Sequence, residues 1–199
     1  MEQYNTLIVG IGGQGVLTTA EVLARAGIVQ GYKVLMAEIH GMAQRGGRVP
    51  CSVRFGDSIS SATIPEGAAD LVISLEFAEA LTSVPFASRK TVFVLSKQVN
   101  LPPMITIGLG RYPTADEVIR AIKQTSCKIY VIDAPDMAKK AGSLLTTNSV
   151  MLGAGIAAGE VPIKDESIKE AMKSTLPQRS LETNIRAYEM GRTEVFKIK

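Results

Sequence analysis

The sequence predicts one α/β domain over residues 1–199, with a doubly wound, mostly parallel sheet, an inserted β-hairpin and a helical C-terminal cap. Three observations support this prediction. A chain of 199 residues has the size of one ordinary domain. Short runs rich in Val, Ile and Leu alternate with stretches of helical periodicity. Such near-continuous apolar strands are typical of parallel sheets that are covered on both faces.

The first elements along the chain predict a strand, a turn, a helix and a second strand. Residues 6–9 are a short apolar run that stops at a glycine-rich segment, residues 10–15. From residue 16 to about residue 30 the apolar side chains recur at helical spacing. Residues 33–38 then form a second β-type run. This order predicts a βαβ unit at the start of the domain.

The middle of the chain predicts the hairpin. Two extended segments, residues 49–55 and 58–64, flank Gly56 and Asp57, a pair of residues typical of hairpin turns. Further strands are predicted at residues 70–75, 91–95 and 128–134. Helices are predicted from residue 76, at 114–125 with a capping box of Thr114 and Glu117, and at 135–141, 148–158, 165–173 and 181–190, the last ended by Gly191.

Composition and charge exclude several classes of protein. Hydrophobic residues make up 46% of the chain and charged residues 21%, as in globular proteins. The net charge is only +3 and the basic residues are scattered, which argues against a nucleic-acid surface. No apolar stretch approaches the roughly 20 residues of a membrane span. The N-terminus lacks the pattern of a secretory signal, so we expect a cytoplasmic protein.

The glycine-rich segment has the spacing of a dinucleotide-binding turn. Gly10, Gly12 and Gly15 follow a strand and open a helix, and Glu38 ends the second strand, as in a Rossmann-like fold. We expect Gly10 to allow the tight turn, Gly12 to let the backbone approach a phosphate and Gly15 to let helix and strand pack closely. The alternative is that the glycines only join a strand to a closely packed helix.

The second motif is the segment from Glu38 to Arg48. It holds the only histidine, two arginines and three glycines at the carboxyl end of a predicted strand, where α/β sheets bind ligands. We expect Arg45 and Arg48 to pair with a carboxylate or a phosphate, although ion pairs within or between subunits are an equal alternative. The candidate cofactor-binding residues of the two motifs are Gly10, Gly12, Gly13, Gln14, Gly15, Glu38, His40, Gln44, Arg45, Gly46, Gly47 and Arg48.

Three segments together resemble a known family. They are Gly-Ile-Gly-Gly-Gln-Gly-Val at 10–16, Ala-Glu-Ile-His-Gly-Met-Ala-Gln-Arg-Gly-Gly at 37–47, and Asn148 with Leu152 and Gly153. They are similar to the gamma-type module of 2-oxoacid:ferredoxin oxidoreductases, and the second segment looks closest to the beta subunits of the indolepyruvate branch. The resemblance spans nearly the whole chain and includes Asn184, Ala187 and Gly191 near its end.

The resemblance implies a subunit that is not active alone. In this family a catalytic alpha subunit carries thiamine diphosphate, magnesium and [4Fe-4S] clusters, oxidises a 2-oxoacid, transfers the acyl group to coenzyme A and reduces ferredoxin. The two cysteines here, Cys51 and Cys127, are isolated and predict small buried residues. We therefore expect no cofactor or metal on this chain alone, and no catalytic residue is assigned.

Two other readings remain open. A stand-alone NAD(P)-binding oxidoreductase would use the glycine turn for its dinucleotide, and a nucleotide-sensing or scaffold module would bind a nucleotide without redox chemistry. The chain in isolation could also form a homodimer through a large self-pairing surface that takes the place of the missing partner. Asn148 and Asn184 are expected to cap helices or to form hydrogen bonds across an interface.

Overall fold

A computed structural model describes residues 3–38, 47–126 and 128–198 of the chain. Its strands are β1 (Tyr4–Ile11), β2 (Val34–Glu38), β3 (Arg48–Phe55), β4 (Leu71–Ser74), β5 (Val92–Ser96) and β6 (Lys128–Ile132). Its helices are α1 (Val16–Val29), α2 (Pro103–Thr106), α3 (Ala115–Lys123), α4 (Ala134–Ala141), α5 (Thr147–Gly159), α6 (Asp165–Thr175) and α7 (Gln178–Ile198), with 3-10 helices at Ala78–Phe86 and Leu144–Thr146.

The six strands form one mostly parallel sheet in the order β2-β3-β1-β4-β5-β6. Strands β1, β4, β5 and β6 are parallel neighbours, whereas β3 runs antiparallel to both β1 and β2. The predicted α/β class with a mostly parallel sheet is confirmed. The opening βαβ unit is present, but β3 lies between its two strands.

Helices cover both faces of the sheet, as the doubly wound prediction requires. Ile8, Ile73 and Val94 face a core that is completed by residues of α1 and α4–α7. The alternating residues of the same strands, such as Val72 and Phe93, face a smaller core with α3. Because both faces are buried, the central strands β4 and β5 are apolar at every position except the last, which is a serine in each. No helix of the described ranges is both long and apolar enough to cross a membrane.

The predicted hairpin of residues 49–55 and 58–64 is wrong. Residues 49–55 lie in β3, but residues 58–64 form no strand. Both edges of β3 are already paired, one with β1 and the other with β2, so no edge is left for a further strand. The buried Arg54 of β3 instead donates hydrogen bonds to the carbonyl oxygens of Ser61 (2.8 Å) and Thr63 (3.0 Å). These bonds attach the 58–64 segment to β3.

The predicted end of the last helix at Gly191 is also wrong, because α7 continues to Ile198. Gly191 and Gly153 lie where α7 crosses α5. A Cβ atom on Gly191 would come within 2.0 Å of the carbonyl oxygen of Val150, and a Cβ atom on Gly153 within 2.0 Å of that of Tyr188. Gly191 therefore allows two helices to pack closely and does not end a helix.

The capping box before α3 is confirmed. The Thr114 hydroxyl accepts a hydrogen bond from the Glu117 N–H at 3.3 Å, and the Glu117 carboxylate accepts one from the Thr114 N–H at 2.8 Å. Two donors that the first turn of a helix leaves unpaired are thereby satisfied. These hydrogen bonds confirm the predicted start of the helix.

Candidate functional site

The candidate site lies at the carboxyl edge of the parallel strands, where the glycine-rich turn follows β1. The N–H of Gly12 donates a hydrogen bond to the carbonyl oxygen of Gly47 at 2.8 Å. In the same region Ile11, the last residue of β1, pairs with Arg48, the first residue of β3. The structure thus brings the end of the 38–48 segment to the same edge as the turn at 10–15.

The residues of the 38–48 segment are only partly described. His40, Gln44, Arg45 and Gly46 lie outside the described residues. Glu38 ends β2 and pairs with Cys51 of β3. Because β3 separates β2 from β1, Glu38 is two strand spacings, about 10 Å, from the strand that leads into the glycine turn. An acid that binds the ribose of a dinucleotide normally follows a strand adjacent to β1, so this arrangement disfavours NAD(P).

The glycines of the turn differ in role from the prediction. Gly10 lies within β1 and does not form the tight turn; a Cβ atom there would come within 2.9 Å of Val16 and 3.1 Å of Leu75. Positive φ angles occur instead at Gly13 (+100°) and Gly15 (+80°). These two positions require glycine because L side chains rarely adopt this conformation. Gly15 also packs against Asn148 of α5. The sequence instead predicted that Gly15 would allow close packing between a helix and a strand.

The Gln14 side chain stabilises the glycine turn through two hydrogen bonds to the backbone. Its side-chain oxygen accepts a hydrogen bond from the Ile11 N–H at 2.8 Å, and its amide nitrogen donates to the carbonyl oxygen of Leu75 at 3.3 Å. Leu75 follows β4, so Gln14 ties the ends of two neighbouring parallel strands together. The side chain therefore fixes the shape of the edge at which a ligand would bind.

A buried carboxylate that sequence analysis missed lies at the same edge. Glu76 is 1% exposed and accepts hydrogen bonds from the Tyr112 hydroxyl (2.5 Å), the Asn100 N–H (3.2 Å) and the Glu79 N–H (2.9 Å). Burial and the bond to Glu76 raise the pKa of Tyr112 well above its usual range, so its hydroxyl stays protonated as a donor. Glu76 lies just after β4, and its hydrogen bonds thus connect the end of β4 to the segment that follows β5.

The sequence offers no signal for this cluster. Glu76 and Tyr112 are separated by a 3-10 helix, strand β5 and the short helix α2, and no periodic pattern links them. Only the topology, which places consecutive parallel strands side by side, brings the two residues together.

Arg48 forms an ion pair within the chain, as the alternative interpretation of this residue allowed. Its Nε atom lies 3.7 Å from Oε2 of Glu79, and its side chain is 49% exposed. Burial raises the pKa of Glu79, and the positive charge of Arg48 offsets part of this increase. The contact is too long for a strong hydrogen bond, and Glu79 Oε2 is buried without a hydrogen-bond partner.

A cavity of about 750 Å³ opens between the glycine turn and the N-terminal ends of α5 and α7. Asn148 and Asn184, whose roles the sequence left open, both line it. Both polar atoms of Asn184 form hydrogen bonds: its oxygen accepts from the Ser149 hydroxyl at 2.7 Å and its amide nitrogen donates to the Ser180 carbonyl at 2.8 Å. The Oδ1 atom of Asn148 is buried and has no hydrogen-bond partner.

The described residues do not form a metal centre. Within residues 3–38, 47–126 and 128–198, no three His, Cys, Asp or Glu side chains are grouped so that they could hold an ion. Cys51 is fully buried, as predicted, and Cys127 lies outside the described residues. The sequence also has too few cysteines for a [4Fe-4S] cluster, which needs four thiolates.

Comparison with known proteins gives one consistent family. A sequence model of the family described as pyruvate ferredoxin/flavodoxin oxidoreductase matches residues 5–194. The chain is 40% identical to the indolepyruvate oxidoreductase subunit IorB of Archaeoglobus fulgidus, over 95% of this chain and 94% of that protein.

The chain belongs to the pyruvate ferredoxin/flavodoxin oxidoreductase family. The predicted resemblance is thereby confirmed, and the chain is a subunit of a 2-oxoacid:ferredoxin oxidoreductase.

Two solved structures of oxoacid ferredoxin oxidoreductases have the same fold. The gamma subunit of a keto/oxoacid ferredoxin oxidoreductase from Geobacter sulfurreducens has a TM-score of 0.74 at 21% identity, over 99% of this chain and 98% of that one. The 2-oxoglutarate:ferredoxin oxidoreductase from Magnetococcus marinus, with 2-oxoglutarate, coenzyme A and succinyl-CoA bound, has a TM-score of 0.76 at 18% identity. This match covers all of the present chain and 32% of the Magnetococcus chain, so the fold also occurs as one part of a larger polypeptide.

Proposed function

We propose that this chain completes the active site of a catalytic alpha subunit that oxidises indolepyruvate, or another arylpyruvate, to an acyl-CoA. In the proposed complex the partner carries thiamine diphosphate, magnesium and [4Fe-4S] clusters, and the electrons leave to ferredoxin. The observation that carries the proposal is the edge where the Gly12 N–H binds the Gly47 carbonyl oxygen. It joins both family motifs at the carboxyl ends of the parallel strands, where α/β folds bind ligands.

The choice of indolepyruvate rests on the relatives. The subunit from Archaeoglobus fulgidus at 40% identity is named for indolepyruvate, whereas a subunit from Pyrococcus furiosus named for pyruvate and ketoisovalerate is 27% identical. The higher identity favours an arylpyruvate for the complex that contains this chain.

The redox cofactors are assigned to the partner because the chemistry of this chain does not fit them. Thiamine diphosphate is held in this family through a magnesium ion. The described residues contain no group of three His, Cys, Asp or Glu side chains that could hold a metal ion. Two isolated cysteines cannot bind a [4Fe-4S] cluster. We therefore derive no step of decarboxylation or electron transfer from residues of this chain.

The role proposed for this chain is to hold an anionic part of a substrate or of coenzyme A. No acid occurs in the first turn of α1, so its amide groups and helix dipole favour an anion beside the glycine turn. Arg48 is half-exposed at the same edge. The proposed ligand-binding residues are those of the two motifs, Gly10, Gly12, Gly13, Gln14, Gly15, Glu38, His40, Gln44, Arg45, Gly46, Gly47 and Arg48.

Reconstitution of the complex tests the proposed function. The partner subunit alone and this chain alone should each fail to reduce ferredoxin with indolepyruvate and coenzyme A, and mixing them should restore the reaction. Arg45→Ala should lower turnover of the complex far more than it lowers the melting temperature of this subunit. Arg25→Ala is the matched control, because Arg25 is exposed and pairs with Glu21 on the same helix.

Two results would reject the proposal. One is full activity of the partner without this chain. The other is tight binding of NADH by the pure chain with no effect on the reconstituted reaction, which would support the NAD(P)-binding alternative.

A further inference from the structure

The segment that follows β5, residues 99–110, carries large apolar side chains that are exposed. Val99, Leu101, Ile107 and Leu109 are between 49% and 67% exposed. Among the described residues, neither hydrophobic core includes a side chain of this segment. The segment therefore does not use these side chains to stabilise the fold of this chain. Clusters of exposed apolar side chains are typical of surfaces that bind another protein.

One buried carboxylate holds both ends of the 99–110 segment. Oε1 of Glu76 accepts a hydrogen bond from the Asn100 N–H at 3.2 Å and another from the Tyr112 hydroxyl at 2.5 Å. Surface loops of about 6–16 residues whose ends lie close together are frequently functional. Binding residues are often found on loops that a rigid scaffold positions. Glu76 thus fixes the base of a loop whose middle is exposed.

The 99–110 segment offers a partner no charge. No Asp, Glu, Lys, Arg or His occurs from residue 98 to residue 110. The charged residues on either side are paired within the chain: Lys97 lies 3.5 Å from Asp133, and Arg111 forms hydrogen bonds of 2.7 and 2.8 Å with Glu117. Because burying an unpaired charge is costly, the surface that fits this segment is itself uncharged and apolar.

The position of the segment indicates which partner covers it. It leaves the sheet at the carboxyl end of β5, the edge that also holds the glycine turn, and Gln98 lines the cavity beside that turn. A subunit that covers the segment therefore also covers the edge that joins the two family motifs. In the Magnetococcus enzyme the same fold is covalently joined to other parts of the enzyme. A second copy of this chain on the segment would occupy the edge where the proposed function needs the catalytic subunit.

We propose that residues 99–110 are a docking loop that inserts into an uncharged, apolar groove of the catalytic subunit. Four side chains are too few for a whole interface, which buries about 800 Å² on each partner. The loop is therefore an anchor within a larger contact. This inference rests on the proposed function and deepens it, since it assigns a surface outside the two family motifs to the catalytic subunit.

The affinity of this chain for the purified catalytic subunit, measured by titration calorimetry, tests the inference. In the double variant Ile107→Gln/Leu109→Gln the Kd should rise about hundredfold, since each side chain contributes about tenfold when it is buried. The double variant Ile107→Leu/Leu109→Ile should keep nearly all of the affinity, because it keeps the apolar area. The melting temperature of the isolated chain should change little in either variant, because both side chains are exposed.

The matched control is the double variant Ile28→Gln/Val29→Gln. Ile28 and Val29 are also large, exposed apolar residues. They lie at the C-terminal end of α1, which runs from the glycine turn to the opposite edge of the sheet. This variant should bind the catalytic subunit as tightly as the wild-type chain does.

Turnover of the reconstituted complex separates docking from catalysis. The concentration of this chain that gives half-maximal activity with indolepyruvate should rise in the Ile107→Gln/Leu109→Gln variant. An excess of the variant should restore the wild-type kcat, because neither side chain belongs to the proposed ligand-binding residues.

The inference is overturned if the Ile107→Gln/Leu109→Gln and Ile28→Gln/Val29→Gln variants bind the catalytic subunit equally well, or if an excess of the first variant does not restore kcat. It is also overturned if sedimentation shows that the first variant loses only self-association, which would assign the segment to a second copy of this chain. These outcomes leave the proposed function intact, because the complex would still need this chain. If the partner alone were fully active, the proposed function would fail whatever the 99–110 segment does.

Discussion

Gly153 of α5 and Gly191 of α7 lie opposite each other where the two helices cross, each close to a backbone carbonyl of the other helix. A Cβ atom at either position would come within 2.0 Å of that carbonyl oxygen. Helix backbones that approach this closely have no space for even one methyl group.

Gly191→Ala is therefore expected to destabilise the protein by about 3 kcal/mol, since backbone on both sides must move. The melting temperature and urea unfolding of the isolated chain measure the effect. Gly110→Ala is the control, because Gly110 has an ordinary φ angle and a Cβ atom there would meet only Ile105 at 3.6 Å. Equal stability of the two variants would contradict the packing described here.

Arg54 is expected to be essential for the segment that replaces the predicted hairpin. The side chain is 6% exposed and binds Asn5 at 2.8 Å as well as the carbonyl oxygens of Ser61 and Thr63. Arg54→Met keeps much of the apolar stem but leaves these acceptors unpaired, so we expect a loss of about 2–4 kcal/mol. Arg120→Met, on the exposed surface of α3, should change the free energy of unfolding by less than about 0.5 kcal/mol.

Tyr112→Phe should weaken the link between the ends of β4 and β5. The substitution removes the hydroxyl that donates to Glu76 and accepts from the Ala78 N–H at 3.1 Å. Because Glu76 is buried, we expect a loss of about 1–3 kcal/mol in the free energy of unfolding. Tyr130→Phe is the matched control, and a similar loss in that variant would show that the effect is not specific to Glu76.

Cys51 should be unreactive in the folded protein. Burial, with a smaller contribution from the charge of Glu38, raises the pKa of its thiol from 9.0 to about 12. At pH 8 only about one molecule in ten thousand would carry the thiolate, which is the form that alkylating reagents attack. In a Cys127→Ser chain, iodoacetamide should therefore label Cys51 only as fast as the chain unfolds. Rapid labelling at pH 8 without denaturant would contradict this prediction.

The raised pKa of the Cys51 thiol also makes the stability of the folded protein depend on pH at high pH. The folded pKa lies above the unfolded value of 9.0, so the fold favours the neutral thiol. This contribution is fully present below pH 9 and is lost as the pH rises toward 12. Cys51→Ala should reduce this dependence on pH in urea unfolding, measured in the same Cys127→Ser background.

Local signals in the sequence were sufficient for most of the elements. The capping box at Thr114 and Glu117 fixed the start of α3, and the apolar runs located every strand from β1 to β6. Local signals gave wrong predictions where a residue contacts a distant part of the chain. Gly191 ends no helix because its partner is the Val150 carbonyl on α5, and residues 58–64 form no strand because β1 and β2 already occupy both edges of β3.

The candidate site was predicted only in part for the same reason. The glycine turn and the 38–48 segment were found because each is a dense local motif, and the structure brings their ends together through Gly12 and Gly47. Glu76 carries no local pattern, and the unpaired oxygen of Asn148 could not be inferred from the family segment that contains this residue. They become recognisable only when the sheet order and the crossing of α5 and α7 are known.

The two walls of the cavity come from opposite ends of the chain, since Gly13 and Gly15 form one side and Arg179 and Thr183 the other. A nascent chain that has left the ribosome only as far as α6 can already form the glycine turn, but it lacks the opposite wall. The cavity should therefore be complete only at the last stage of synthesis, when α7 docks on α5.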